Sequence, residues 1–203
     1  MKNVMKLSIC VLLAVSSIAT GYAKTFSSKK DDKEKMEITL SLRYVKEGQQ
    51  LLIKDLNGLI IYKEEIEETG YYNHKFDLTN LPNGDYYFEH QKAFQIKIIP
   101  FQVSTNDVSF KTEAEMLIYK PVVKFKNNQL LLTKLALEKE DLNVKIYYDA
   151  TPNSSSDYDL IYTETITNTL NIERIYQLSP KQKGDYKIIL ESNGRTYTEN
   201  ISI

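Results

Sequence analysis

The sequence predicts an all-β chain of two tandem β-sandwiches behind an N-terminal signal segment. Three observations carry that prediction. A prolyl turn, then Gly-Asp-Tyr, then an alternating apolar run occurs twice. The first copy is Leu81-Pro82-Asn83-Gly84-Asp85-Tyr86-Tyr87-Phe88; the second, one hundred residues on, is Ser179-Pro180-Lys181-Gln182-Lys183-Gly184-Asp185-Tyr186-Lys187-Ile188. Apolar and polar residues alternate through much of the chain, the period-two signature of half-buried strands. Turn pairs such as Asn57-Gly58, Asn127-Asn128 and Asn193-Gly194 separate the runs.

Residues 1–23 read as a signal peptide. Lys2 and Lys6 supply a positive start, Leu7 to Ala19 is largely apolar, and the small residues Gly21 and Ala23 precede a cut before Lys24. The apolar run is shorter than a spanning helix needs, so no membrane span is expected once the signal is removed. Cys10 lies inside that run rather than after it, which argues against lipidation. Residues 24–36 form a charged leader of mixed sign, with Lys29-Lys30-Asp31-Asp32-Lys33-Glu34-Lys35 at its centre.

The first module is expected over residues 37–115. Ile38, Leu40, Leu42 and Tyr44 alternate with Glu37, Thr39, Ser41 and Arg43, giving a strand with one apolar face. After the Glu47-Gly48 turn come a strand through Leu51 to Asp55, the Asn57-Gly58 turn, and a return through Leu59 to Tyr62 and Ile66. Further strands follow at Tyr72 to Leu78, Tyr86 to Glu89 and Phe94 to Val103. Ser104 to Glu115 is polar, carries the turn pair Asn106-Asp107, and reads as the boundary. Met116 to Tyr119 is either the last strand of the first module or a bridge.

The second module is expected over residues 116–203, with Lys120-Pro121 leading into it. Its strands are Val122 to Phe125, Leu130 to Leu137, Val144 to Asp149, Leu160 to Ile166, Asn171 to Leu178, Asp185 to Glu191 and Arg195 to Ile203. The polar loop Thr151 to Asp157 has no counterpart in the first copy. It explains why Leu160-Ile161-Tyr162 repeats Ile60-Ile61-Tyr62 at a wider spacing than Asp149 repeats Asp55. Loops absorb such insertions at little cost.

Each Gly-x-Tyr-x-apolar motif sits at the mouth of a strand. In immunoglobulin-like sandwiches a tyrosine there turns a corner, its hydroxyl bonding to backbone upstream. Tyr86 and Tyr186 are the candidates, with Phe88 and Ile188 in the place that cysteine takes in antibody domains. Gly84 and Gly184 are expected to adopt turn conformations that a side chain would resist. The fold class is therefore two tandem immunoglobulin-like β-sandwich domains.

Charge and composition exclude several functions. The 26 basic and 27 acidic residues nearly balance, and losing Lys2 and Lys6 leaves a slight acidic excess. Nucleic-acid binding wants a basic face, which this chain lacks. The one cysteine lies in the signal, so the mature chain has no disulfide, thiolate metal site or cysteine nucleophile. His74 and His90 are isolated from other ligands, and Glu64, Glu65, Glu67 and Glu68 read as a solvated hairpin tip. No catalytic residue, cofactor or metal ligand set is expected. The candidate ligand contacts are Tyr71, Tyr72, Tyr147 and Tyr148, because adjacent strand positions send one ring inward and one outward.

Leu52-Ile53-Lys54-Asp55-Leu56-Asn57-Gly58 with Ile60-Ile61-Tyr62, followed by Asp77-Leu78-Thr79-Asn80-Leu81-Pro82-Asn83-Gly84-Asp85-Tyr86, resembles small secreted immunoglobulin-like domains of Bacteroidetes bacteria. These include the domain-of-unknown-function family 3244. The same string is similar to C-terminal sorting domains of type IX secretion cargo. The resemblance implies an immunoglobulin-like fold and a secreted, periplasmic or cell-surface setting, and it brings no catalytic residues. The expected function is a non-enzymatic binding or structural protein with an unknown protein or glycan partner at the cell envelope. A carbohydrate-binding accessory protein and a secretion-sorting module are the alternatives.

Overall fold

The computed structural model describes residues 35–105, 107–151 and 158–203. The expected signal peptide, most of the charged leader, Asn106 of the expected turn and residues 152–157 of the polar loop lie outside the described residues. Among the described residues no helix is long and apolar enough to cross a membrane. Apart from one short 3-10 turn at Thr112–Ala114, the regular structure is antiparallel β.

In the first sandwich β1 (Glu37–Val45) pairs with β4 (Gly70–Asp77). They face a larger sheet ordered β3 (Ile60–Glu65), β2 (Gln50–Asp55), β5 (Gly84–Gln91), β6 (Gln95–Ser104) and β7 (Asp107–Phe110). Ile38, Leu40 and Leu42 of β1 meet Leu51, Ile53, Phe88 and Phe101 of the larger sheet in one core. The Phe88 ring lies 5.0 Å from Phe76 and 4.9 Å from Phe101, tilted as aromatic quadrupoles prefer.

Two expectations need correction here. Alternation puts Tyr44 on the apolar face of β1, but it is 87 % exposed. A bulge shifts the register between Arg43 and Val45, with Tyr44 at φ 57, so Val45 takes the inward place instead. The polar stretch from Ser104 also contains a strand. β7 pairs with the second half of β6, and its Val108 and Phe110 pack on the core. The first half of β6 takes β8 (Met116–Tyr119), so of the two readings open for that segment it is the last strand of the first module, although the expected boundary falls before it. β6 is long enough for two short strands to share its edge, which a polar composition hides.

In the second sandwich β9 (Val122–Lys126), β10 (Gln129–Leu135) and β13 (Asn171–Gln177) form one sheet. The other is ordered β12 (Asp159–Ile166), β11 (Leu142–Asp149), β14 (Asp185–Ser192) and β15 (Arg195–Ser202). Leu130, Leu132, Val144, Ile146, Ile172 and Leu190 fill the core between them. This three-plus-four arrangement follows the immunoglobulin-like order, β9, β10 and β13 standing as A, B and E, and β12, β11, β14 and β15 as C′, C, F and G. In the first sandwich β1 and β4 stand as B and E. Among the described residues no strand pairs with the outer edge of β1, the place β9 takes against β10.

Both corners close by the same bond. Tyr86 Oη donates to the Pro82 carbonyl at 2.9 Å, and Tyr186 Oη to the Gln182 carbonyl at 3.3 Å. The two glycines differ. Gly184 has φ +153, and a Cβ there would collide with the Asp149 carbonyl and sit 2.9 Å from Tyr148 Cε2. Gly84 was expected to need a similar conformation, yet its φ is not positive and a Cβ would meet only the Tyr86 side chain, at 3.6 Å. It is an ordinary ladder position opposite Val103.

The outward face of the larger first sheet is buried in part. Leu52, Glu89 and Ile98 lie side by side on it, each nearly inaccessible and none in the first core. Glu89 Oε1 accepts from Lys54 Nζ at 3.0 Å and Gln91 Nε2 at 2.7 Å, while Oε2 accepts from Arg195 Nη2 of the second sandwich at 2.7 Å. Burial alone would raise the pKa of Glu89; the three donors outweigh it and hold the group down at about 2. Neighbouring His90 faces inward, bonded through Nε2 to Gln49 Oε1 at 2.7 Å, and burial lowers it to about 4.

Gly184→Ala should therefore cost on the order of 4 kcal/mol, while Gly84→Ala stays within about 1 kcal/mol. Chemical denaturation of both variants checks the contrast, and equal losses would contradict the two backbone environments. Acid should act in two stages. Both Glu89 and His90 bind protons less readily folded than unfolded, so the unfolded chain takes up more protons and stability falls as pH falls. His90 contributes a loss between about pH 6.5 and 4, and Glu89 a further loss between about pH 4.5 and 2. Glu89→Gln should remove only the lower stage in melting curves. Matching wild-type and variant profiles below pH 4.5 would show that Glu89 is not held as described.

Candidate functional site: the open flank of each sandwich

Each sandwich has a flank where the C′ strand of the larger sheet stands beside the E strand of the smaller one. The same local sequence builds both flanks. Ile60-Ile61-Tyr62 opens β3 and Leu160-Ile161-Tyr162 lies at the start of β12, and all six residues are exposed. A bulge recurs at one place. Tyr62 pairs with Ile53 and Ile60 with Lys54, leaving Ile61 extra; Tyr162 pairs with Ile146 and Leu160 with Tyr147, leaving Ile161 extra. A bulge bends the edge and re-aims side chains, here presenting an isoleucine at each flank.

A carboxylate bridges the two sheets behind these residues. In the first sandwich Tyr62 Oη donates to Glu64 Oε2 at 2.7 Å, and Tyr72 Oη of β4 donates to Glu64 Oε1. In the second, Tyr176 Oη of β13 donates to Glu164 Oε2 at 2.8 Å and Tyr162 Oη makes a longer bond of 3.4 Å. Arg174 Nε adds a bond to Glu164 Oε1 at 2.8 Å. The aromatic partners correspond as well: Tyr62 meets Phe76 edge-on at 5.6 Å, and Tyr162 meets Tyr176 at 5.2 Å. Position for position, His74 stands where Arg174 does, Phe76 where Tyr176 does, and Tyr72 where Ile172 does.

The electrostatics follow. Burial and then the hydrogen bond and charge of Glu64 raise Tyr62 to about 12 and push Tyr72 higher still. Tyr176 is raised by burial and by Glu164. Burial would raise Glu164, but the bonds from Arg174 and Tyr176 leave it lowered. The tyrosines thus stay neutral donors, and Glu164 a charged acceptor, across the physiological range.

A cleft of about 820 Å³ opens at the first flank, lined by Glu64, Glu65, Glu67, Tyr71, Tyr72 and His74 among others. Tyr71 is 62 % exposed at its rim. His74 is exposed, with its ring 4.6 Å from Phe76 and stacked at 6.1 Å on Tyr72. Glu64 is therefore not the solvated tip residue expected from sequence: two hydroxyls hold it on the flank.

The four candidate tyrosines do not share a site. Tyr71 and Tyr72 lie on β4 of the first sandwich, Tyr147 and Tyr148 on β11 of the second. Tyr148 packs against the second core, its ring 4.9 Å from Tyr186 and its hydroxyl donating to the Lys183 carbonyl at 2.8 Å. It braces the second corner, so its place is structural. Tyr147 is half-buried on the opposite face of β11. Among the described residues no group of three or more His, Cys, Asp or Glu is placed to hold a metal ion. The glutamate bridges escaped sequence reading, although Tyr-x-Glu at 62–64 and again at 162–164 was a visible signal.

A scan against protein-family models and a search of the curated proteins give no match. Among solved structures the chain is similar to a "Biofilm associated protein - BSP domain", at 12 % identity and a TM-score of 0.27. That match covers 84 % of this chain and 27 % of the other.

Tyr72→Phe removes one donor from a half-buried carboxylate and should lower stability by about 1 kcal/mol. Ile172→Tyr, at the corresponding place of the second sandwich, should not stabilise, because Glu164 already has its donors. Urea unfolding of the two variants separates them; a neutral Tyr72→Phe would show that the first bridge contributes nothing.

Proposed function

We propose that this chain is a non-enzymatic secreted or cell-envelope binding protein whose two immunoglobulin-like modules act through protein contacts on their flanks. The observation that carries this reading is the repeated exposure of Ile60-Ile61-Tyr62 and Leu160-Ile161-Tyr162. Exposed apolar side chains in a recurring, bulge-defined arrangement suit a protein interface, where aromatic and aliphatic anchors supply most of the energy. The carboxylate bridges support it by stiffening the strands that present these residues. The apolar leader at residues 1–23 and the resemblance to secreted Bacteroidetes domains support the envelope setting.

A second reading has its own observation. Tyr71 is exposed beside several carboxylates in the first cleft. A sugar ring stacks on such a face while its hydroxyls donate to the carboxylates. That reading makes the first module a carbohydrate-binding accessory.

One experiment separates the two. The chain purified from its own secretion pathway is presented to solubilised envelope proteins and, separately, to envelope glycans. The protein reading expects a discrete protein retained by wild type and released by Ile61→Asp combined with Ile161→Asp, with folding unchanged by circular dichroism. Retention of glycan that is lost in Tyr71→Ala, and unaffected at the isoleucines, would transfer the function to the cleft.

A further inference from the structure

We infer that the outer edge of β1 is a self-association site, at which a second copy of this chain pairs its own β1 antiparallel about a two-fold axis through Leu40. The starting observation is a difference between the two sandwiches. β10 has β13 on one side and β9 on the other, whereas among the described residues β1 pairs with β4 alone, β7 coming near it without forming a ladder. From Glu37 to Arg43 the register of β1 is regular, and the Tyr44 bulge ends it. Seven residues give about 24 Å of backbone donors and acceptors. Such an edge is a template for another strand.

The chain's own leader suits this place poorly. Met36 N donates to Thr79 Oγ1 at 3.0 Å, and the Met36 carbonyl accepts from Leu78 N at 2.7 Å. The backbone therefore enters β1 in line with it, alongside the end of β4 rather than from the outer edge. A strand folded back from residues 29–31 would also set Lys29, Lys30 or Asp31 against the inward-facing Ile38 and Leu40. In the second sandwich β9 offers Val123 there, packed on the core.

A second β1 fits instead. The regular stretch is centred on Leu40, so antiparallel pairing about that residue is self-complementary. Glu37 comes opposite Arg43 twice, Ile38 opposite Leu42 twice, Thr39 opposite Ser41 twice, and Leu40 opposite itself. Opposite charges and Thr–Ser pairs are favourable cross-strand neighbours on the outward face. Among the described residues no ion pair uses Arg43, while Glu37 already pairs with Lys75 of β4. The apolar residues are buried within their own sandwich, so the contact adds mainly backbone bonds and charge pairs. One strand edge is small against a standard interface, and the dimer is accordingly reversible.

The test is sedimentation equilibrium of the chain across a concentration series, in a Cys10→Ser background. Wild type is expected to dimerise. Arg43→Glu sets like charges opposite each other twice and should weaken the dimer at least tenfold. Glu37→Arg should do the same, and the double exchange should recover most of the loss. Thr39→Cys combined with Ser41→Cys should form a covalent dimer on oxidation, with neither single variant doing so. A monomer at every concentration would overturn the inference, as would a dimer indifferent to Arg43→Glu. Dimerisation that begins only after removal of residues 24–34 would assign the edge to the chain's own leader and overturn it equally.

Discussion

The arrangement of the two sandwiches depends on one buried charge. Glu89 is 0 % exposed, a position where an ionised carboxylate survives only if its lone pairs are met. Its own sandwich supplies Lys54 and Gln91, and the other supplies Arg195. Leu52 and Ile98 on either side of it are buried as well. Arg195 opens β15 directly after the Asn193-Gly194 turn, so a hairpin end of one module closes the sheet face of the other. Apolar residues alone would allow the modules to slide. A carboxylate with a fixed guanidinium partner makes one relative placement much better satisfied than its neighbours, the role for which buried ion pairs are best suited.

Where a residue's fate is set by its own strand, the sequence reveals it. The alternation in Glu37 to Arg43, the corner tyrosines and the doubling of the sandwich all follow from local pattern plus repetition. The outward turn of Tyr44 is not legible, because a bulge changes phase without any marker residue. β7 is hard to read because a four-residue strand with two inward side chains has almost no pattern. Glu89 was invisible for a different reason. Alternation puts it on the face opposite Phe88, and nothing in β5 reports that a second module covers that face. The flanks fall between these cases. The repeated Ile-Tyr-x-Glu string was readable, but the donors to each glutamate come from another sheet and differ between copies.

Those differences show how two sandwiches of one plan can satisfy the same carboxylate in different ways. The bridging glutamate is kept at 64 and 164, and so is the tyrosine two residues before it. The second hydroxyl has moved, from Tyr72 in one copy to Tyr176 in the other, and a guanidinium has joined only the second. Each solution satisfies the carboxylate and ties the two sheets together. The first stands at a cleft with an exposed ring; the second adds Arg174 to its bridge. The modules thus share a framework and present different surfaces.

This difference also bears on how the chain reaches its folded state. Tandem domains of similar sequence are prone to exchanging strands while folding, and the wrong partner is always close at hand. β3 and β12 are the elements most alike between the two copies. Inserted in the first sandwich, β12 would bring Glu164 to a site with no arginine and with Phe76 in place of its phenolic donor. Inserted in the second, β3 would set Glu64 opposite Ile172, where Tyr72 should be. Each exchange trades one set of donors for another, Tyr72 in the first module against Tyr176 and Arg174 in the second, so the unequal bridges mark the two modules apart for the strands that dock in them.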